Sequence, residues 1–381
     1  MPTTANWSFP TSIRFGAGRI SELGEACRSA GMARPLLVTD AGLKDQKITR
    51  DALERLQESG LGASLFADVQ SNPTDLNLEA GVEVFRAGGH DGVVAFGGGS
   101  GLDLGKLVAF QSGQTRPVWD FEDVGDWWTR ADGAAIAPIV AVPTTAGTGS
   151  EVGRASVLTN SREKVKKIIF HPKFLPQTVI ADPELTTGMP TAITVGTGMD
   201  AFAHCLEAYV APSYHPICEG IAVEGMRLVR ENLPLVYRDG SDLEARGHMM
   251  AAAAMGATAF QKGLGAIHAL SHPAGALFNT HHGMTNAVVM PAVLAFNRPA
   301  IEAKIDRLAA FLGIEGGFDG FFDFVLNLRA DLGVPDKLGD LGVTSDAIPT
   351  MARMAPNDPT AGGNPVTLTE EAARELFLRL I

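Results

Sequence analysis

Gly92-Val93-Val94-Ala95-Phe96-Gly97-Gly98-Gly99-Ser100 decides the fold. Four apolar residues in a row, two of them β-branched, read as a strand buried on both faces. Three glycines end it at once, and Leu102 to Phe110 reads as a helix. The same alternation extends to either side. Pro35-Leu-Leu-Val-Thr-Asp40 reads as a buried strand ending in an acid. Ile48 to Ser59 reads as a helix stopped by Gly60, Ala63 to Ala67 as a short strand, and Leu78 to Ala87 as a helix. Ile136 to Val142 and Val179 to Ala181 read as further strands. Strands separated by helices predict a parallel sheet covered on both faces.

From about residue 185 strand-like runs almost vanish. Ala-, Leu- and Met-rich segments take over: Ala192 to Val210, Glu219 to Asn232, Leu243 to Phe260, Gly265 to Ala276, Asn286 to Phe296, Ile301 to Leu312 and Phe318 to Leu332. The expectation is an α/β domain over residues 1–185 followed by an all-α domain over residues 186–381. A chain of 381 residues exceeds one ordinary core, which agrees with two domains.

The formal net charge of −12 opposes binding to nucleic acid or to an anionic membrane surface. Three cysteines, Cys27, Cys205 and Cys218, make no disulfide framework and fit a reducing compartment. Met1 to Phe9 does not read as a signal peptide, and no apolar run reaches the length of a membrane span. The protein is therefore expected in the cytoplasm.

Glycines 97 to 99 between a strand and a helix start let backbone N–H groups approach a ligand, and the helix start adds positive dipole. Together these suit a pyrophosphate. A tight strand-to-helix turn is the alternative. Pro143-Thr144-Thr145-Ala146-Gly147-Thr148-Gly149-Ser150 follows another buried strand, at the carboxyl end where open α/β sheets bind ligands. Asp40 at a strand end can accept hydrogen bonds from ribose hydroxyls and would repel a 2′-phosphate, which favours NAD over NADP. It can equally be a turn or cap residue.

Seven of nine histidines lie between His204 and His282. Asp200 and His204 are four apart in a helical pattern and share a face, and His268 and His272 repeat that spacing. His281 and His282 follow a segment broken by Pro273, Gly275 and the Asn279 to Gly283 stretch, so they are expected at the end of a loop. One carboxylate and three imidazoles would hold a divalent first-row ion. Spacing alone does not choose among His268, His272, His281 and His282.

These residues resemble the iron-containing (group III) alcohol dehydrogenases over nearly the whole chain. The resemblance rests on Asn72-Pro73-Thr74, Gly97 to Ser100 with Asp103 and Lys106, Pro143 to Glu151, Asp182-Pro183-Glu184-Leu185, and Gly198-Met199-Asp200 with His204. It continues in Gly265-Ala-Ile-His268-Ala-Leu-Ser-His272, His282-Gly283 and Asn286-Ala287. It implies a Rossmann-like parallel-sheet domain followed by an all-α domain, in a dehydroquinate synthase-like architecture. The implied metal ligands are Asp200, His204, His268 and His282, with Fe(II) first and Zn(II) able to use the same set. His272 is implied near the substrate and is the candidate proton relay. The implied NAD contacts are Asp40, Asn72, Gly98, Gly99, Ser100, Thr144, Thr145 and Thr148, with a lysine in the Lys164, Lys166, Lys167 run, read as Lys167. Family members often carry Pro where this chain has His281.

The expected activity is hydride transfer between NAD and a small alcohol or aldehyde, by a homodimer or larger homo-oligomer with no nucleic-acid or membrane partner. A hydroxyacid–oxoacid transhydrogenase or a maleylacetate reductase-like enzyme is the alternative. A dehydroquinate synthase-like cyclase would want Lys and Arg near the ligands, and Gly265 to Asn286 has none. The potential ligand set argues against a non-catalytic scaffold. Trp119 to Trp128 reads as a packed surface loop or subunit contact, or else as a substrate-entry wall.

Overall fold

The alternation resolves into a six-stranded sheet, every pairing of which is parallel. The computed structural model describes residues 11–381. One compact unit ends at Gly188 and a second runs Met189–Ile381.

In chain order the first unit contains β1 (Ser12–Phe15), α1 (Leu23–Ser29), β2 (Pro35–Val38), α2 (Lys47–Glu58), β3 (Ser64–Phe66), α3 (Asp75–Ala87), β4 (Gly92–Gly97), α4 (Gly99–Gln111) and β5 (Ile139–Pro143). An antiparallel hairpin follows, β6 (Ala155–Asn160) with β7 (Val165–Phe170), and then β8 (Thr178–Ala181). The strand order is β1-β8-β5-β4-β2-β3. Of the strands read from sequence, β2, β4, β5 and β8 are buried along their whole length, whereas β3, at the other edge, is buried only at Phe66. Interior parallel strands have helices on both faces, so they read as apolar runs rather than as alternating ones. β1 lies at an edge and is mostly exposed, and β7 carries Lys166 and Lys167, so neither has that signature.

Succession along the sheet reverses between β2 and β4: β3 lies outward of β2, whereas β5 and β8 continue from β4. Ligands of open α/β sheets bind beyond the carboxyl ends of strands at such a reversal. Asp40 follows β2, Gly98 to Ser100 follow β4, and Thr144 to Thr148 follow β5, so the topology brings all three to the carboxyl ends of adjacent strands. α3 starts three residues earlier than its apolar pattern, at Asp75, because Thr74 and Asn77 form a capping box.

The second unit contains α5 (Thr191–Val210), α6 (Pro216–Arg238), α7 (Leu243–Ala259), α8 (Ala266–Phe278), α9 (His282–Leu312), α10 (Gly317–Asp331), α11 (Ile348–Met354) and α12 (Glu370–Leu380), and no strand among the described residues. α5 is buried along most of its length and packs against α6, α7 and α9. The two expected helices, Asn286 to Phe296 and Ile301 to Leu312, are one continuous α9 that runs through Pro299. The carbonyl that Pro299 leaves without an N–H is that of Ala295, on the exposed side of the helix, where water can serve it. No described helix is long and apolar enough to cross a membrane.

Candidate metal centre and dinucleotide loops

Asp200, His204 and Glu207 are spaced i, i+4, i+7 on α5 and therefore share one face. All three are buried in an apolar interior, so each requires a polar partner. α8 supplies His268 and His272, and α9 supplies its first residue, His282.

Ligand atoms of Asp200, His204, His268 and His282 lie within 4.8 Å of one another. From Asp200 Oδ1 the imidazole Nε2 atoms stand at 3.7 Å (His204), 3.8 Å (His268) and 3.5 Å (His282). His281 does not join the group. Its Nδ1 accepts the Met284 N–H and caps α9, and its ring lies where a Cβ on Gly196 would fall. A Cβ on Gly283 would overlap the Gly196 carbonyl oxygen and lie 2.9 Å from Asp200 Cβ. The α5–α9 approach that sets His282 beside Asp200 thus depends on two glycines. Gly283→Ala is expected to destabilise the fold by about 1–3 kcal/mol, because backbone must move. It should also weaken metal binding, and denaturant unfolding and metal titration of the same sample would show both.

The Asn286 amide, one turn along α9 from His282, donates to Asp200 Oδ1 at 2.8 Å and lies 3.2 Å from Nε2 of both His268 and His282. Its Oδ1 is buried without a hydrogen-bond partner. Glu207 accepts the Ile267 N–H on Oε1 at 2.6 Å and meets His268 Nδ1 with Oε2 at 2.6 Å. Burial lowers the pKa of the His268 imidazole, but the Glu207 carboxylate, helped by Asp200 and Asp358, raises it by more. His272 lies outside the group of four, stacked on His282 with ring centroids 5.3 Å apart. Its Nδ1 is 2.8 Å from Asp358 Oδ2, while Asp358 Oδ1 accepts the Thr360 N–H and hydroxyl. Burial would raise the Asp358 carboxyl, but His272 and the Thr360 donors pull it down to about 2.

The donor set fits a divalent first-row ion. One carboxylate oxygen and three imidazole nitrogens converge, with the Asn286 amide beside them. Bringing those acceptors together in a buried site without a cation would leave lone pairs facing lone pairs.

In the other unit, Gly97 has φ 137°, a conformation that favours glycine, and Gly98 caps α4, whose first turn holds no acid. A Cβ would lie 3.4 Å from Asp40 Oδ2 if added to Gly97, 3.1 Å from Thr145 if added to Gly98, and 2.7 Å from Thr148 Oγ1 if added to Gly99. The Thr144 N–H donates to the Gly97 carbonyl at 2.9 Å. The structure therefore brings Asp40, the glycine loop with Ser100, and the threonine loop together. Asp40 does serve its turn, since Oδ1 accepts the N–H groups of Gly42 and Leu43. Oδ2 is the oxygen toward the glycine loop.

Lys167 lies on β7 of the hairpin. Its ammonium bridges Glu122 at 2.9 Å and Glu163 at 3.0 Å, and its cross-strand partner is the buried Leu158. Lys166, the next residue along the strand, points to the opposite face of the hairpin. Asn72 has φ 57°, and the Pro73 carbonyl after it accepts the Thr159 N–H of β6. The Trp119 to Trp128 segment is anchored by the Asp123 N–H on the Ile168 carbonyl and by Trp128 edge-on to Phe170 and His171, while residues 123–126 are exposed.

Glu207 and Asp358 were not read from sequence, and Asp103, Lys106 and Glu151 were named only as parts of the resemblance, without a role. Glu207 follows the spacing of the α5 ligands, so its signal was present. Asp358 lies 86 residues from His272, in a loop without pattern. Asp103 accepts the Ser150 hydroxyl and the Val157 N–H, and Lys106 Nζ donates to the carbonyls of Ser150 and Ala155. Together they hold the segment that follows the threonine loop. Burial lowers the Lys106 ammonium pKa and pushes the adjacent Glu151 carboxyl up to about 7.

The sequence profile of the iron-containing alcohol dehydrogenases matches residues 10–183, and that of the family's C-terminal domain matches residues 194–381. The chain belongs to the iron-containing alcohol dehydrogenase family. It is an oxidoreductase of the alcohol dehydrogenase kind. As an iron-containing alcohol dehydrogenase it is 40% identical over 346 residues to a 4-hydroxybutyrate dehydrogenase of Cupriavidus necator, covering 88% of this chain and 89% of the relative. A crystal structure of a 1,3-propanediol oxidoreductase superposes with TM-score 0.93 at 36% identity, covering 99% of both chains. A sulfoacetaldehyde reductase from Bifidobacterium kashiwanohense, solved in complex with NAD+, gives TM-score 0.89 at 29% identity over 100% of this chain and 99% of the other.

Proposed function

We propose that this iron-containing alcohol dehydrogenase interconverts short primary alcohols and aldehydes with NAD, using one divalent ion held by Asp200, His204, His268 and His282. The convergence of those four ligand atoms carries the reading. Fe(II) is the ion proposed, with Zn(II) able to occupy the same nitrogen and oxygen donors. In this reading residues 1–185 bind the dinucleotide and residues 186–381 bind the metal. When bound, the ion supplies Lewis acidity to the substrate oxygen, and NAD accepts or returns the hydride.

The chain's own residues supply position and a proton path. Gly98 and Gly99 admit the pyrophosphate to the start of α4, with Ser100, Thr144, Thr145 and Thr148 around it, and Asn72 and Lys167 are the remaining proposed contacts. The Asp358 carboxylate holds Nδ1 of His272, so His272 Nε2 is the atom that takes the hydroxyl proton in oxidation and returns it in reduction. Substrates with a second polar terminus, such as 1,3-propanediol and 4-hydroxybutyrate, are proposed on the activities named for the similar proteins. Three buried free cysteines support a cytoplasmic setting. The exposed edge strand β1, with Ile13 and Phe15 uncovered, supports a homodimer or larger assembly.

Anaerobically prepared protein loaded with Fe(II) or Zn(II) is expected to form NADH from these two substrates faster than from unbranched alcohols of equal length. Absence of NADH formation with every metal and alcohol would refute the reading. Asp40→Asn tests the cofactor preference. The amide keeps an oxygen for the N–H groups of Gly42 and Leu43 but removes the charge that repels a 2′-phosphate. The KM for NADP should fall about tenfold, a change of about 1.4 kcal/mol, with folding unchanged. An unaltered NADP/NAD ratio would remove Asp40 from the selectivity.

A further inference from the structure

We infer that Glu207 is the positioning residue that decides which nitrogen of His268 is offered to the metal, an inference that rests on the ligand set proposed above. Its two oxygens have separate tasks. Oε1 accepts the Ile267 backbone N–H, and Oε2 meets His268 Nδ1, each at 2.6 Å. α8 begins after Gly265, which has no side chain to cap it. The free N–H groups of its first turn are therefore satisfied from distant parts of the unit. Asn364 Oδ1 accepts that of Ala266 at 3.0 Å, and Glu207 accepts the next. One carboxylate plane thus fixes the start of the helix and the ring carried by its third residue.

An ionised carboxylate only accepts hydrogen bonds, so the proton of a neutral His268 belongs on Nδ1. Nε2 then presents its lone pair on the side of Asp200 Oδ1. The other tautomer would aim an N–H at the place the ion has to occupy. Rotation of the ring offers no escape, because His268 is 2% exposed and stacks on His204 with centroids 4.8 Å apart.

Glu207→Gln separates the two tasks. The carboxamide oxygen still accepts the Ile267 N–H, which leaves the NH2 group facing His268 Nδ1. That group must donate, so the His268 proton moves to Nε2 and the ligand lone pair is lost while the helix start is kept. The test uses the full chain, wild type and E207Q, with Zn(II) as the probe metal in competition with a chromophoric chelator. The histidine tautomer is read by NMR of 15N-histidine-labelled, metal-free protein at a pH above the raised pKa of His268, where the ring is neutral, with His268 assigned by its absence in H268Q. The wild type is expected to show the Nδ1–H form and E207Q the Nε2–H form. Zn(II) should bind E207Q about 10- to 100-fold more weakly, the usual effect of losing a partner that orients a ligand.

An Nε2–H tautomer in the wild type, or equal Zn(II) affinity in E207Q, overturns the inference. So does weaker binding in E207Q with the Nδ1–H form retained, which would assign Glu207 to the helix start alone. If E207Q does not fold, the wild-type tautomer decides by itself. Zn(II) affinity untouched by H268Q refutes the ligand set instead and leaves the tautomer question separate.

Discussion

His268→Ala is expected to abolish metal binding and turnover together while leaving NAD binding intact. The first two effects are coupled because His268 Nε2 is one of the four ligand atoms that converge among the described residues. Lewis acidity is worth several kcal/mol of transition-state stabilisation, and each 1.36 kcal/mol is tenfold in rate. The loss in kcat should therefore be about a thousandfold or more. The third effect follows from the dinucleotide loops belonging to the other unit. Metal analysis, steady-state kinetics and NAD titration on one preparation test all three. Retained turnover would reject the scheme, and lost NAD binding would show that the substitution did more than remove a ligand.

The second large effect concerns His272, proposed as the proton relay rather than as a ligand. His272→Gln should lower kcat about a hundredfold, within the usual range for a general acid–base group, with the metal still bound at full occupancy. Asp358→Asn should behave in the same way. Its amide oxygen can keep the Thr360 donors, but its NH2 would face His272 Nδ1 and reverse the tautomer. Because the two residues act through one proton, the double variant should be little worse than either single one. Additive losses would show separate roles. Loss of metal in H272Q would place His272 among the ligands.

Much of this was legible in the sequence, for reasons that differ by element. β2, β4, β5 and β8 are buried along their whole length, which selects runs dominated by apolar residues. The glycine loop was legible because its backbone requires Gly97. The i, i+4 pairs Asp200/His204 and His268/His272 placed candidates on helix faces. Spacing along the chain did not distinguish His281 from His282, because the distinction arises from a helix crossing. One ring packs on Gly196 and caps α9, and the other, one residue on, turns toward Asp200. The hairpin was missed because β7 mixes lysines with apolar residues. The carboxylate beside His272 was missed because only tertiary folding brings Asp358 there.

The helix that carries Asp200, His204 and Glu207 is also the one most enclosed by its neighbours. An inherited change that repacks its flanks would tilt the ligands, and a change that tilts the ligands would disturb the flanks. The centre is thereby shielded from gradual drift, and diversification toward new substrates is steered away from that buried axis.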